Sequence, residues 1–444
     1  MWGMMGITIN HQNGNPGLIT TQMGHQPADF TDVRATNLAV VLRFVRTNAP
    51  CSRADIAAST GLNKATVSSL VAELIDRRLL RETGLTEHRI GRPATMIVVD
   101  GAPYAAIGLE VNTDHLTVVA MDLAGDRLLS WRRAFTGLGA PPPKAIAAIT
   151  ALARRAVARV HGDGRHVLGL AIGVAGLVDA DGVVRLAPNL GWRDVALREA
   201  VVAALDEPGY SVVVENDANL AARAEHRYGP HAGVANLVHL NGHVGVGAGI
   251  VSDGRLLRGG LGFGGEIGHI QVEPDGPVCA CGRRGCLEAV AGVGALVRRL
   301  TGGGDSTGAG AGATGPGVEA GSADAAGALD LEPEVEDLVR RAQAGDAIVL
   351  DAMADAGRHL GHAVSVLSNL VNPEVVILGG YYVPLAPWLL PAAESELRAR
   401  AVAPDAGGCR LAVSTLGHNA TATGGAASVL DSVDAGQLPL RPAS

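Results

Sequence analysis

The sequence contains no uninterrupted apolar stretch of the roughly 18–20 residues that a bilayer-spanning helix requires, which excludes a membrane partner of that kind. Its opening, Met1 to Ile9, lacks the basic start and apolar run of a secretory signal, so a cytoplasmic protein is expected. Cysteine is scarce. There are five in 444 residues, and three of them crowd together at Cys279, Cys281 and Cys286, too few and too unevenly spread for a disulfide framework. An overall basic charge is also missing: the formal net charge is −8, which argues against whole-surface attraction to nucleic acid. Residues 31–100 nevertheless carry ten Lys/Arg against seven Asp/Glu, a local +3 that leaves −11 for the remainder. This asymmetry points to one nucleic-acid-facing end on an otherwise acidic protein.

The chain is too long for one ordinary core, and its 47% hydrophobic content supplies apolar surface for two or three domains. Residues 1–30 are rich in Gly, Asn, Gln and Thr without periodicity and read as a disordered leader. Residues 302–328 are Gly, Ala, Ser and Thr with scattered Asp, a composition that cannot offset chain entropy by burial and reads as a flexible insertion within a domain. Residues 432–444 read as a loose tail. From residue 103 to 431, strand patterns (Ile107–Val111, Leu116–Met121, Val167–Ile172, Ser211–Val214, Val375–Leu378) alternate with helical ones (Ala145–Val160, Val335–Leu370), as in an α/β fold with more than one sheet.

Residues 31–100 have the order of a winged helix-turn-helix. Leu38, Val41, Leu42 and Val45 share one helical face, which the Ala49-Pro50 pair ends. Ser52 and Asp55 resemble a capping box opening a short helix from Arg53 to Ser59, and Gly61 supplies the turn. The next helix starts at Asn63 or Lys64 and buries Val67, Leu70, Val71 and Leu74. Lys64, Ala65, Thr66, Ser68 and Ser69 are left outward, the small, polar and basic set that a major-groove helix needs. Leu79–Glu82 and Thr95–Val99 can pair as a hairpin whose tip holds Arg89, Gly91 and Arg92, a slim basic wing for the minor groove. The expected DNA contacts are Arg53, Asn63, the five outward helix residues and the three wing residues; an ordinary three-helix packing module with a surface hairpin is the alternative.

His269, Cys279, Cys281 and Cys286 form the pattern H-x9-C-x-C-x4-C, whose three thiolates and one imidazole suit tetrahedral zinc. With no open coordination position, such a zinc is structural. The competing reading is a group of free buried thiols.

Several motifs together resemble the ROK family, named for repressors, open reading frames and kinases. They are Gly245-Val-Gly247-Ala-Gly249, Asp253-Gly254-Arg255, Gly264-Gly265-Glu266-Ile-Gly268-His269, and Cys279-x-Cys281-Gly-Arg-Arg-Gly-Cys286-Leu-Glu288. The resemblance covers residues 31 to 431. It implies an actin-like (ribonuclease H-like) sugar-kinase fold of two α/β subdomains, assembled as a homodimer or homotetramer. It also implies that Asn216 and Asp217 are a sugar contact and the catalytic-base position, while Glu266, His269 and Glu288 meet sugar hydroxyls and Gly176 and Asn189 line the other wall. Asn216 or Asp217 could equally open a helix as its N-cap, and the two roles can coexist.

Family kinases carry an Asp-x-Gly-Gly-Thr turn after the first strand, where this chain has Glu110-Val-Asn112-Thr113-Asp114; their Gly-Thr-Gly loop is here His243-Val244-Gly245. Phosphate-cradling glycines are replaced and a carboxylate is added, so ATP and Mg2+ are not expected as cofactors. The expected function is a sugar-responsive DNA-binding regulator, a repressor released from operator DNA by a monosaccharide or its derivative, with Asp217 kept for sugar binding. Activation is the opposite sign left open. The main alternative is an active glucokinase or N-acetylhexosamine kinase that also binds DNA, and a zinc-bound assembly protein without a small ligand is the third.

Overall fold

The computed structural model describes residues 30–85, 95–137, 139–301, 331–402, 404 and 408–439. The expected leader, apart from Phe30, and the expected insertion at 302–328 lie outside these residues. The chain divides into two units, residues 100–430 forming one and residues up to 99 together with 431–444 the other.

The first unit contains α1 (Phe30–Asn48), β1 (Cys51–Ser52), α2 (Arg53–Thr60), α3 (Lys64–Asp76), β2 (Leu80–Leu85) and β3 (Thr95–Val99). Its core is made by the periodic residues of α1 and α3: Leu38, Val41, Leu42, Val45, Val67, Leu70, Val71 and Leu74 are all buried, each such side chain contributing about 1.5–3 kcal/mol. Ser52 closes the capping box with Asp55 in both directions, and Gly61 takes the left-handed conformation (φ 71°) that stops α2. β3 pairs antiparallel with β2, Leu80 facing Val99, and with the short β1, giving the sheet order β1-β3-β2.

The second unit holds two five-stranded mixed sheets. The first is built from β4 (Tyr104–Val111), β5 (His115–Asp122), β6 (Arg127–Ala134) and β7 (His166–Val174), with α4 (Pro142–Gly162) between the last two. A small antiparallel sheet of β8 (Leu177–Val178), β9 (Val184–Ala187) and β10 (Trp192–Val195) precedes α5 (Leu197–Ala204), β11 (Ser211–Asn216) and α6 (Asp217–Tyr228). The second large sheet uses β12 (Leu237–Gly242), β13 (Val246–Ser252), β14 (Arg255–Leu256), then β15 (Val375–Gly380) and β16 (Arg410–Val413). Helices α7 (Leu287–Ala291), α8 (Val293–Leu300), α9 (Leu331–Gln343), α10 (Ala347–Val371) and α11 (Tyr382–Arg400) lie along this half, and α12 (Ala420–Asp434) ends it.

The strand orders are β11-β7-β4-β5-β6 and β14-β13-β12-β15-β16. Counted within each half, both place the first strand centrally, a two-strand antiparallel extension on one side and two parallel strands on the other. This is the two-subdomain sugar-kinase fold that the resemblance implies, one topology used twice. Each half has its own core, Ile107, Leu109, Val118, Ile149 and Leu152 in the first and Val238, Leu240, Val364, Leu378 and Leu385 in the second. Between the sheets, helices pack so tightly that a Cβ on Gly424 of α12 would lie 1.7 Å from the Leu220 carbonyl of α6; glycine is required there by packing alone.

The structure differs from the expected helix over 335–370, which is two helices. Gly345 adopts φ +81° and the Asp346 side chain accepts from the amides of Ile348 and Val349, ending α9 and starting α10. The residues read as a loose tail continue α12 to Asp434, where Val433 and Asp434 are buried and Arg46 donates to Asp434 at 2.8 Å. Residues 440–444 lie outside the described residues.

Candidate functional site

On α3, Lys64, Ala65, Ser68 and Ser69 are exposed and Thr66 is half-buried. Asn63 is the helix N-cap, its side chain accepting from the Thr66 amide at 2.8 Å, and Arg53 pairs with Glu82 at 2.8 Å. The wing residues Arg89, Gly91 and Arg92 lie outside the described residues.

The second unit contains a cleft of about 330 Å³, and Gly176, Asn189, Asn216, Asp217, Glu266, His269 and Glu288 all line it. Asn216 ends β11 and caps α6: its Oδ1 accepts from the Asn219 amide at 3.0 Å while its Nδ2 donates to the Gly176 carbonyl at 3.0 Å. The cap and the cleft wall are thus the same side chain. Asp217 is buried and accepts from Asn241 Nδ2 at 3.2 Å; burial raises its pKa despite that bond. Glu266 is pushed up to about 7, by burial first and then by the charges of Asp217 and Glu288. Glu288 Oε2 accepts from the Val246 amide at 3.2 Å. Asn241, Arg283, Asn112 and His243 also line the cleft and were not among the expected ligand contacts. Asn241 sits near the end of β12, opposite Gly247, where an inward polar residue beside a strand end was a usable signal.

The β4–β5 and β12–β13 turns meet at the inner end of the cleft. Asn112 Oδ1 accepts from the Thr113 amide at 2.7 Å, which orients the carboxamide so that Nδ2 donates to His243 Nδ1 at 3.0 Å. The proton of the neutral imidazole then sits on Nε2, 3.5 Å from Glu110 Oε1. Burial holds His243 down to about 3, and Glu110 is pushed up to about 7 by burial, with Asp217 and Asp114 adding to the rise against the attraction of His115. Asp114 is held well below the usual range: burial opposes its charge, but His115 and Tyr381 bond to it, the latter at 2.7 Å. Arg132 extends this network to Tyr381 at 3.1 Å and to Glu332.

The metal candidates converge as well. Ligand atoms of His269, Cys279, Cys281 and Cys286 all lie within 4.8 Å of one another, with Cys279 Sγ 3.7 Å from His269 Nδ1 and Cys281 Sγ 3.7 Å from Cys286 Sγ. Those separations, and a donor set of three sulfurs and one nitrogen, fit a four-coordinate zinc, whose bonds of about 2.0–2.3 Å place neighbouring ligands just under 4 Å apart. His269 Nδ1 faces the sulfurs and Nε2 lies 3.9 Å from Glu266.

A family model described as the ROK family matches residues 106–432. The chain belongs to the ROK family. A MarR family model matches residues 39–89, the winged-helix part of this ROK protein. The xylose repressor of Bacillus subtilis (strain 168) is 28% identical over 404 residues, spanning 91% of this chain and 97% of the repressor. A solved ROK family transcriptional regulator, a homologue of the Escherichia coli MLC protein, superimposes with a TM-score of 0.74 at 28% identity over 91% of this chain and 98% of that one. A ROK family glucokinase from Streptomyces griseus, solved with glucose and AMPPNP, gives a TM-score of 0.58 at 26% identity over 73% of this chain and 98% of the kinase. The glucokinase shares the fold over 73% of this chain, whereas the two regulators each match 91% of it. No helix among the described residues is long and apolar enough to cross a membrane.

Proposed function

We propose that this ROK protein is a sugar-responsive, DNA-binding transcription repressor whose monosaccharide effector occupies the cleft around Asn216, Asp217, Glu266, His269 and Glu288. The observation that carries the reading is the union, in one chain, of a winged helix-turn-helix with a cleft whose carboxylates and amides suit sugar hydroxyls. Relatives that resemble the chain over most of its length include a xylose repressor, which supports both the DNA target and the sugar class. In this reading Lys64, Ala65, Thr66, Ser68 and Ser69 face the operator major groove, with Arg53 and the wing residues Arg89, Gly91 and Arg92 beside them. Asn63 acts through its cap.

The protein works as a homodimer or homotetramer, two winged helices matching two half-sites. Sugar binds one arrangement of the cleft more tightly than the other, and the favoured arrangement alters half-site spacing; without such differential affinity it could shift nothing. His269, Cys279, Cys281 and Cys286 would hold a zinc, which would neutralise the thiolates and fix the loop that presents His269 to the cleft. Phosphoryl transfer is absent because Asn112, Thr113 and His243 replace phosphate-binding glycines and Val244 replaces the threonine hydroxyl. An operator-binding titration with and without xylose, glucose and N-acetylglucosamine tests the reading. At least one sugar should weaken operator binding, and Asn216→Ala and Asp217→Ala should lose that response; no effect from any sugar would overturn it.

Retention of Asp217 at the base position favours one second reading, a kinase that also binds DNA. Sugar-dependent ATP consumption would establish it.

A further inference from the structure

Resting on the sugar-binding reading, we propose that the effector is an uncharged monosaccharide and that its phosphate esters are excluded by the cleft itself. The first reason is charge. Asp217, Glu266 and Glu288 line the cleft, and a fourth carboxylate, Glu110, stands buried behind His243. The Glu110, Asp217 and His243 donor atoms all lie within 4.8 Å of one another. With Nε2 carrying its proton toward Glu110, His243 is a neutral donor in this group and supplies no positive charge. Among the described residues, Arg283 is the only lysine or arginine lining the cleft, and it is exposed to solvent.

The second reason is hydrogen-bond supply. A phosphate offers only acceptors and is bound by convergent backbone N–H groups. Three of the N–H groups at these turns are already used. The Thr113 amide donates to Asn112 Oδ1 at 2.7 Å, the His243 amide to the Gly245 carbonyl at 3.0 Å, and the Val246 amide to Glu288 Oε2 at 3.2 Å. Carboxylates and amide oxygens leave the cleft rich in acceptors. Sugar hydroxyls can donate to them, whereas a phosphate ester meets like partial charges along the wall away from Arg283. Above pH 7, where Glu110 is ionised, a dianion held a few ångströms from two carboxylates in a partly desolvated site loses on the order of 100-fold in affinity.

Calorimetric titration of the full chain tests this with three pairs, xylose and xylose 5-phosphate, glucose and glucose 6-phosphate, N-acetylglucosamine and its 6-phosphate. The expected result is binding of at least one free sugar, with its ester weaker by about 100-fold. The 6-O-methyl ether of glucose separates charge from bulk: for a glucose-binding protein it should lie closer to glucose than the phosphate does. Glu110→Gln should narrow the free-to-ester ratio. An ester binding as tightly as its parent overturns the proposal while leaving the sugar reading intact, and so does a methyl ether excluded as strongly as the phosphate. If neither any free sugar nor any ester binds, the sugar reading falls and this proposal with it.

Discussion

Asn112 and His243 occupy equivalent turns of the two repeated sheets, and their side chains meet across the cleft at 3.0 Å. Each follows the central strand of its half. In the proposed reading this amide–imidazole bond, with the Asp114–Tyr381–Arg132 chain beside it, stands where family kinases hold a nucleotide's phosphates. The purified protein should therefore show no sugar-dependent ADP release across hexoses and acetylated amino sugars. Rates in the range of about 1–100 s⁻¹ typical of kinases would contradict the proposed loss of phosphoryl transfer.

His269 presents one ring nitrogen to the cysteine sulfurs and the other toward Glu266. His269→Ala is expected to lose metal and sugar response together, with zinc content measured by elemental analysis and response by operator binding. A variant that keeps its full sugar response would show that the metal loop and the cleft are independent.

Glu110 sets a pH dependence whose sign can be worked out. Folding raises its carboxyl from the ordinary 4.5 to about 7, so the folded state holds the proton more tightly. That contribution is complete below pH 4.5 and is lost as pH rises through 7, amounting to at most about 3 kcal/mol. Denaturant midpoints should fall between pH 5.5 and 8, and Glu110→Gln should flatten the trend. An equal decline in the variant would assign it to other groups, with Glu266, also near 7, the first to examine.

Lys64 and Asn63 are adjacent but should behave differently. Lys64→Ala is expected to weaken operator and non-specific DNA alike and to reduce the salt slope by about 1, as for a phosphate contact. Asn63→Ala removes the cap on α3 and should cost about 1 kcal/mol of stability, read by thermal unfolding. An unchanged salt slope for Lys64→Ala would remove that residue from the interface.

Local chemistry made much of this legible before any coordinates. The Ser52–Asp55 box, the Asn63 start of α3 and the strand-end position of Asn216 depend on residues within a few positions of one another. The convergence of Cys279, Cys281 and Cys286 was legible for the same reason: a short loop keeps its own side chains together. The helix break before Asp346 was also local, but apolar periodicity over 335–370 concealed the Gly345 turn. What could not be read was chemistry assembled over distance. Asp114 and Tyr381 are 267 positions apart, as Arg132 and Glu332 are 200, and only the sheet order brings them together. That positions 112, 113 and 243 are not glycine was visible in the sequence, but the Asn112–His243 bond was not.

The Arg46–Asp434 pair, with Val433 buried beside it, means that the winged-helix unit is closed by residues that follow the two-sheet unit in the chain. Arg77 likewise donates to the Pro439 carbonyl at 3.3 Å. During synthesis this unit therefore waits for the ribosome to traverse the two-sheet unit before its own packing is whole. A growing chain thus completes its first-made winged helix only after the two-sheet unit has been made.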